Sequence, residues 1–353
     1  RRESPLVIGL GRSEMYVASD VPAIVERTQR VSYLENGDIA AITPTQIEVF
    51  HNEVKVNRPV HQVSWQPEDR GLAGYAHYFL KEVHQQPRII RDTLAGRLSS
   101  TEPNTMLQLP SLPQVQLDRL FITGSGSAYY AALIGQHFFS EYSTIDISAK
   151  IASEISELKP ANKSSLGVFI TQSGETADTL AALDLCKKNN AKTCSIVNVV
   201  ESSIARSSDF VLPIHAGPEI GVASTKAFIG QMLVLYILAM KISEVRKEIS
   251  KSDYIEKINE LKKLPDLINK TLKCEGKIRI IAKDFLEAKG AIFLGRGSSF
   301  PIALEGALKL KELSYLHAEG YPAGEMKHGP LALIEEGLPV VILAPRDRYF
   351  EKT

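Results

Sequence analysis

The chain has 353 residues, 44% hydrophobic and 23% charged, enough for two or three domains with ordinary globular cores. Its 41 basic and 41 acidic residues cancel, which argues against a broad surface for nucleic acid or anionic membrane. Cys186, Cys194 and Cys274 form no CxxC pair, so they read as buried thiols of a reducing compartment.

The opening "RRESPLVIGLG" has no initiator methionine and no signal peptide, and predicts a piece of a longer protein. Residues 5 to 60 alternate short apolar runs with turn signals, among them "LVIGLG", "RVSYLENGD", "IAAIT" and "QIEVFHN". This predicts a small antiparallel sheet with hairpins near Asn36-Gly37 and Asn52. Residues 72 to 98 follow helical periodicity, broken at Pro87, and a linker rich in Ser, Pro and Thr covers 99 to 115. From residue 118 strands and helices alternate through "RLFITG", "SAYYAALIGQHFFSEY", "IDISAKI", "LGVFITQ", "TADTLAALDLCKKN", "KTCSIVNV" and "DFVLPI". That alternation predicts right-handed crossovers and an α/β fold, a parallel sheet with helices on both faces. A long helix is predicted from about residue 222. Its apolar centre, "AFIGQMLVLYILAM" (227 to 240), is too short to span a bilayer and reads as buried.

An internal repeat follows. "FITGSGSAYYAALIG" (121 to 135) matches "IFLGRGSSFPIALEG" (292 to 306) at a constant offset of 171, with glycines at 124/295, 126/297 and 135/306. A further strand follows in each copy, "LGVFITQ" near 166 and "LPVVILAP" near 338, so one fold is used twice, the second time without the later half of its sheet.

Two strand-to-helix corners carry polar residues where ligands of such sheets sit. "TQSGETADT" (171 to 179) places Ser173 to cap the next helix, Gly174 to admit a ligand, and Thr171, Gln172 and Thr176 to donate hydrogen bonds. "TGSGS" (123 to 127) adds Ser125, Gly126 and Ser127. Neither contains lysine or arginine. None is needed, because first-turn N–H groups and the helix dipole bind phosphate by themselves. Two such corners on one crevice suit a phosphate monoester; the plainer alternative is that Ser173 and Thr176 only cap a helix. "GSGSAY" is not GxGxxG and no Walker lysine follows, which disfavours nucleotides.

In "ALEGALKLKELSYLHAEGYPAGEMKHGPLAL" (303 to 333), Glu305, Lys309 and Glu312 share one helix face. They read either as a solvated ladder or as a carboxylate, tuned by lysine, that shuttles a proton between adjacent carbons. His328 in "KHGP" suits proton transfer at a ring oxygen, or has no role. His317, Glu319, Glu325 and His328 match no metal-ligand spacing, and no metal or cofactor is expected.

"QSGETADTL", "EIGVASTKAF", "ALEGALKLKELSYLHAEGYPAGEMKHGPLALI", "KEVHQQPRIIRDTLAGR" and "SPLVIGLGRSEMYVASDVPAI" resemble the glutamine–fructose-6-phosphate aminotransferase family over essentially the whole chain. That family makes glucosamine 6-phosphate from fructose 6-phosphate and glutamine, with an N-terminal glutaminase domain and two sugar-isomerase (SIS) domains. The resemblance implies flavodoxin-like three-layer α/β/α SIS domains with parallel sheets, preceded by a small antiparallel remnant of the glutaminase. Residues 1–70 would end the glutaminase, 71–115 form a linker with a helix and 116–250 the first SIS domain. Residues 251–285 would be connecting helices, and 286–353 a truncated second SIS domain. By position, Ser127, Thr171, Gln172, Ser173 and Thr176 would hold phosphate, and Val222 and Ser224 the sugar. Glu312 would move the proton between C1 and C2, with Lys309 and Glu305 beside it. His328 would open the ring in the neighbouring subunit's site, which implies a homodimer or higher oligomer. The family's first corner reads Cys-Gly-Thr-Ser; here it is Gly124-Ser125-Gly126-Ser127, which keeps the backbone donors and loses the threonine hydroxyl. The family's cysteine nucleophile and Schiff-base lysine fall outside these residues, so neither glutamine hydrolysis nor a complete sugar site is implied for residues 1 to 353 alone. A cytoplasmic enzyme without nucleic-acid or membrane partners is expected. The rivals are an ammonia-independent SIS-fold isomerase or deaminase and a non-catalytic sugar-phosphate sensor. The first has no need of residues 1 to 98, and the second no need of Glu312 with His328.

Overall fold

The computed structural model describes residues 6–19, 21–35, 37–63, 71–98, 109, 117–157 and 162–353. The expected linker at 99–115 lies outside the described residues except for Leu109. The N-terminal part holds strands β1 (Val7–Leu10), β2 (Met15–Ala18), β3 (Arg30–Tyr33), β4 (Asp38–Ile42), β5 (Ile47–His51), β6 (Val54–Val56) and β7 (His61–Gln62). They form two antiparallel sheets, ordered β2-β1-β3-β7 and β4-β5-β6. The hairpin expected at Asn52 is present: Asn52 and Glu53 turn with φ of 49° and 66° between β5 and β6. Asn36 of the other expected hairpin lies outside the described residues, and the strands that flank it, β3 and β4, belong to different sheets. The buried Asp38 carboxylate accepts from Glu35 N and binds Arg58 and His51, which ties the start of β4 to β5 instead of letting it fold back on β3.

Helix α1 (Tyr78–Leu94) runs through Pro87 without a break. The proline removes one backbone hydrogen bond, at a cost of about 3 kcal/mol. Burial of Ile89, Ile90 and Leu94 offsets it, Ile90 and Leu94 packing on a later apolar helix.

The central domain follows with β8 (Arg119–Gly124), α2 (Ser127–Tyr142), β9 (Asp146–Ile151), β10 (Ser165–Thr171), α3 (Ala177–Lys188), β11 (Lys192–Val197), α4 (Ser203–Ser207), β12 (Phe210–Pro213) and α5 (Lys226–Val245). Its five strands are parallel and ordered β12-β11-β10-β8-β9, the flavodoxin-like order, with reversal between β8 and β10. Because β10 is covered on both faces, Ser165 through Thr171 is buried at every position. Helix α5 starts at Lys226, not near 222, because the Glu219 carboxylate accepts from Thr225 N and Ala227 N and holds the preceding residues as a loop. Among the described residues α5 is one helix long and apolar enough to cross a membrane, but it is packed within the core against α1 and α2.

Helices α6 (Lys251–Leu261), α7 (Leu264–Leu272) and α8 (Glu275–Ile281) lead to β13 (Gly290–Gly295), α9 (Ser299–Ser314), β14 (His317–Pro322) and β15 (Val340–Leu343). The second sheet is parallel, ordered β14-β13-β15. This is the order β9-β8-β10 again, so the repeat is structural. Strand β14, "HAEGYP", has too little apolar alternation to show in the sequence and is recruited by pairing with β13. The matched glycines also coincide: Gly124 and Gly295 end their strands, and Gly126 and Gly297 turn with φ of 56° and 57°. Cys186 and Cys194 are buried as expected, whereas Cys274, the residue before α8, is exposed because that helix buries none of its side chains.

Gly135 and Gly306 lie where their helices cross neighbours. A Cβ on Gly135 would meet Leu235 at 3.1 Å and Ile122 at 3.2 Å, and one on Gly306 would meet the Phe293 ring at 2.9 Å. Gly135→Leu and Gly306→Leu are each expected to destabilise the protein by about 1–3 kcal/mol in denaturant unfolding. An unchanged midpoint would show that these helices do not pack as described.

Candidate functional site

At the reversal between β8 and β10 a cavity of about 250 Å³ is lined by Ser125, Ser127, Ala128, Ile170, Thr171, Gln172, Ser173, Thr176, Val222, Ser224, Gln231, Lys309 and Glu312. The two corners expected to share a crevice therefore do. Gly126 does not line the cavity; it is the N-cap of α2, in a conformation that favours glycine.

The second corner is braced from within. Thr171 Oγ1 lies 3.0 Å from Thr176 Oγ1 and accepts from Gly174 N at 3.2 Å. Gly174 has φ of +70°, and a Cβ there would fall 1.8 Å from Ser202 Oγ. Ser173 does not cap the helix: its hydroxyl accepts from Glu175 N at 3.2 Å, and the N-cap of α3 is Thr176. Nor does Thr176 cap by its side chain, since α2 and α3 both begin without a side-chain cap hydrogen bond. By contrast Ser202 and Ser250 do cap α4 and α6. The positive ends of two helices, of 16 and 12 residues, thus lie beside one cavity. Two buried polar atoms in its lining, Ser125 Oγ and Gln231 Oε1, have no hydrogen-bond partner among the described residues. Buried polar atoms are normally paired, so these suit a polar occupant. Gln231 carries no signal in the sequence, because it lies inside the apolar run of α5.

Helix α9 closes the cavity by packing on α2. Lys309 Nζ lies 2.6 Å from Glu312 Oε2 and 3.4 Å from Glu305 Oε1, and donates to Ser127 Oγ at 3.1 Å. Ser127 Oγ in turn donates to Glu305 Oε1 at 2.8 Å. A cation does reach the cavity, then, but two carboxylates share it. Burial pushes the Glu305 carboxyl up to about 7, against the pull of Lys309 and the Ser127 bond. Glu305 Oε2 is buried without a partner among the described residues, which fits a carboxyl that keeps its proton near neutrality. Glu312 faces the cavity with its side chain 34% exposed, where a carboxylate can take and return a proton.

Ser224 is positioned by Glu219, whose Oε2 accepts its hydroxyl at 3.0 Å. Burial raises the Glu219 carboxyl above its ordinary value while the N–H groups of Thr225 and Ala227 draw it back. His328 is not brought into this cavity; it is exposed at the end of the 3-10 turn Ala323–His328.

The sequence matches the family described as SIS domain over residues 115–241 and 284–353. It is 43% identical to the glutamine–fructose-6-phosphate aminotransferase (isomerizing) of Brucella melitensis, over all of this chain and 58% of that protein. The chain therefore spans less than two thirds of the length of the curated relatives it matches. The solved C-terminal domain of glucosamine-fructose-6-phosphate aminotransferase from Francisella tularensis has a TM-score of 0.75 at 39% identity, over 80% of each chain. Glucosamine-6-phosphate deaminase from Thermotoga maritima has a TM-score of 0.61 at 26% identity, over 78% of this chain and 80% of that one.

A raised carboxyl binds its proton longer in the folded than in the unfolded state, so folding stability falls as pH rises from about 4.5 to about 7. Glu305→Gln is expected to remove a few kcal/mol of that fall, read as denaturant midpoints across this range. A slope equal to the wild type would contradict the buried position of Glu305.

Proposed function

We propose that this chain, which belongs to the SIS-domain family, forms the sugar-phosphate isomerase part of an enzyme that makes glucosamine 6-phosphate from fructose 6-phosphate and glutamine. The observation that carries the reading is the cavity between two uncapped helix starts, closed by a Glu–Lys–Glu face from the second repeat. A monoester phosphate is held by the main-chain N–H groups of the corners, with Ser125, Gln172, Ser173 and Thr176 around it. Val222 and Ser224 contact the sugar. Glu312 moves the proton between C1 and C2, and Lys309, 2.6 Å from it, holds that carboxylate in place at the cavity. Glu305, holding its proton, orients Ser127 and leaves the ammonium free to serve Glu312. His328 acts at the ring oxygen in the neighbouring subunit, so the working unit is a homodimer or larger.

Residues 1–70 are assigned to the end of a glutaminase domain, 71–115 to a linker, 116–250 and 286–353 to the two SIS domains and 251–285 to helices between them. The antiparallel sheets and α1 support this over a deaminase or a sensor, neither of which requires them. A cytoplasmic location suits the two buried thiols, Cys186 and Cys194, which burial raises to about 12.

The test supplies full-length protein with fructose 6-phosphate and either glutamine or ammonium and measures glucosamine 6-phosphate. Glutamine-dependent product is expected, and Glu312→Gln should lower turnover at least about 100-fold while sugar-phosphate affinity stays within a few-fold. Product from ammonium alone would favour the deaminase-like rival, binding without turnover the sensor, and persistent turnover in the variant would displace Glu312 as the base.

A further inference from the structure

Glu82 stands on α1, outside the cavity and only 2% exposed. Its Oε1 accepts from Ile220 N at 2.6 Å and from Gly221 N at 3.0 Å. Those two donors immediately precede Val222, which is 97% exposed at the cavity rim. The approach is close enough that a Cβ on Gly221 would lie 2.6 Å from Glu82 Oε2. Other residues of α1 and its end hold the same β12–α5 connection. The Thr93 hydroxyl donates to the Ile214 carbonyl and Arg97 to the Pro213 carbonyl. Gln85 Oε1 accepts from Lys226 Nζ at 2.8 Å. From the sheet side Asn198 accepts from Ala216 N at 2.8 Å and donates to Gly217 O at 2.6 Å.

We infer that α1 sets the height of the Val222–Ser224 rim and that Glu82 is a positioning residue for sugar binding, an inference that rests on the proposed reading of the cavity. The connection is anchored by the buried Ile214, Ala216, Pro218 and Ala223 and by Glu219, and between those anchors the main chain leading to the exposed Val222 is held by Glu82. Main-chain donors on a buried carboxylate make charge-assisted bonds, which fix position better than neutral ones. Contacts to a substrate lose their value when displaced by as little as about 1 Å.

The test compares full-length wild type with Glu82→Ala, Glu82→Asp and Glu82→Gln. It reads amide hydrogen exchange over 217–225 together with KM and kcat for fructose 6-phosphate. Glu82→Ala is expected to speed exchange of that peptide, but not of β8 or β10, and to raise KM, each about tenfold, with kcat within about threefold. Glu82→Gln, which keeps an acceptor at the same reach but makes only neutral bonds, is expected to recover both most of the way. Glu82→Asp, which keeps the charge but withdraws it, should behave like the alanine variant and decides the matter if that variant does not fold. Unchanged exchange, unchanged KM, or a Gln variant as impaired as Ala would each overturn the role of Glu82. A wild type that produces no glucosamine 6-phosphate would instead overturn the proposed function, and the exchange measurement alone would still judge the loop.

Discussion

A parallel sheet sends every strand toward the same edge, so the helices that follow all begin there. Where the strand order reverses, the two flanking crossovers leave on opposite faces and cannot close over the gap between them. In this chain the gap lies between β8 and β10, and the helices on either side of it, α2 and α3, start without side-chain caps. Their first-turn N–H groups and dipoles are left to serve an anion. Gly126 and Gly174 make this possible by turning the chain in the left-handed region, and a side chain on Gly174 would collide with Ser202.

The chemistry comes from the second copy of the fold. Packing of α9 on α2 carries Lys309 to the first copy's corner, where Ser127 bonds both Lys309 and Glu305. One ammonium between two carboxylates is neither a phosphate clamp nor a surface ladder. The more buried acid, Glu305, is pushed toward neutrality, and the more exposed one, Glu312, keeps the short ion pair and faces the cavity. Two like groups in unlike surroundings acquire different roles, the pattern expected of acid–base sites.

Much of this was legible in the sequence because it depends on local rules. The strand–helix alternation from residue 118, the repeat at offset 171 and the two polar corners follow from periodicity and glycine placement. Features governed by tertiary contacts were not legible. Pro87 stays inside α1 because neighbouring helices hold it, β14 exists because β13 pairs with it, and α5 starts late because Glu219 detains the preceding loop. Ser173 and Thr176 read as caps, yet their hydroxyls serve the loop instead. Gln231 could not be picked out of an apolar run by composition, since only its place beside the cavity reveals an amide oxygen without a partner among the described residues.

The most direct test is a crystal of the protein soaked with fructose 6-phosphate. The phosphate is predicted between the two corners, its oxygens within about 3 Å of main-chain N–H groups from the starts of α2 and α3, with the sugar directed toward Glu312. A phosphate bound elsewhere, or held chiefly by Lys309 while the corners stay unengaged, would contradict the account.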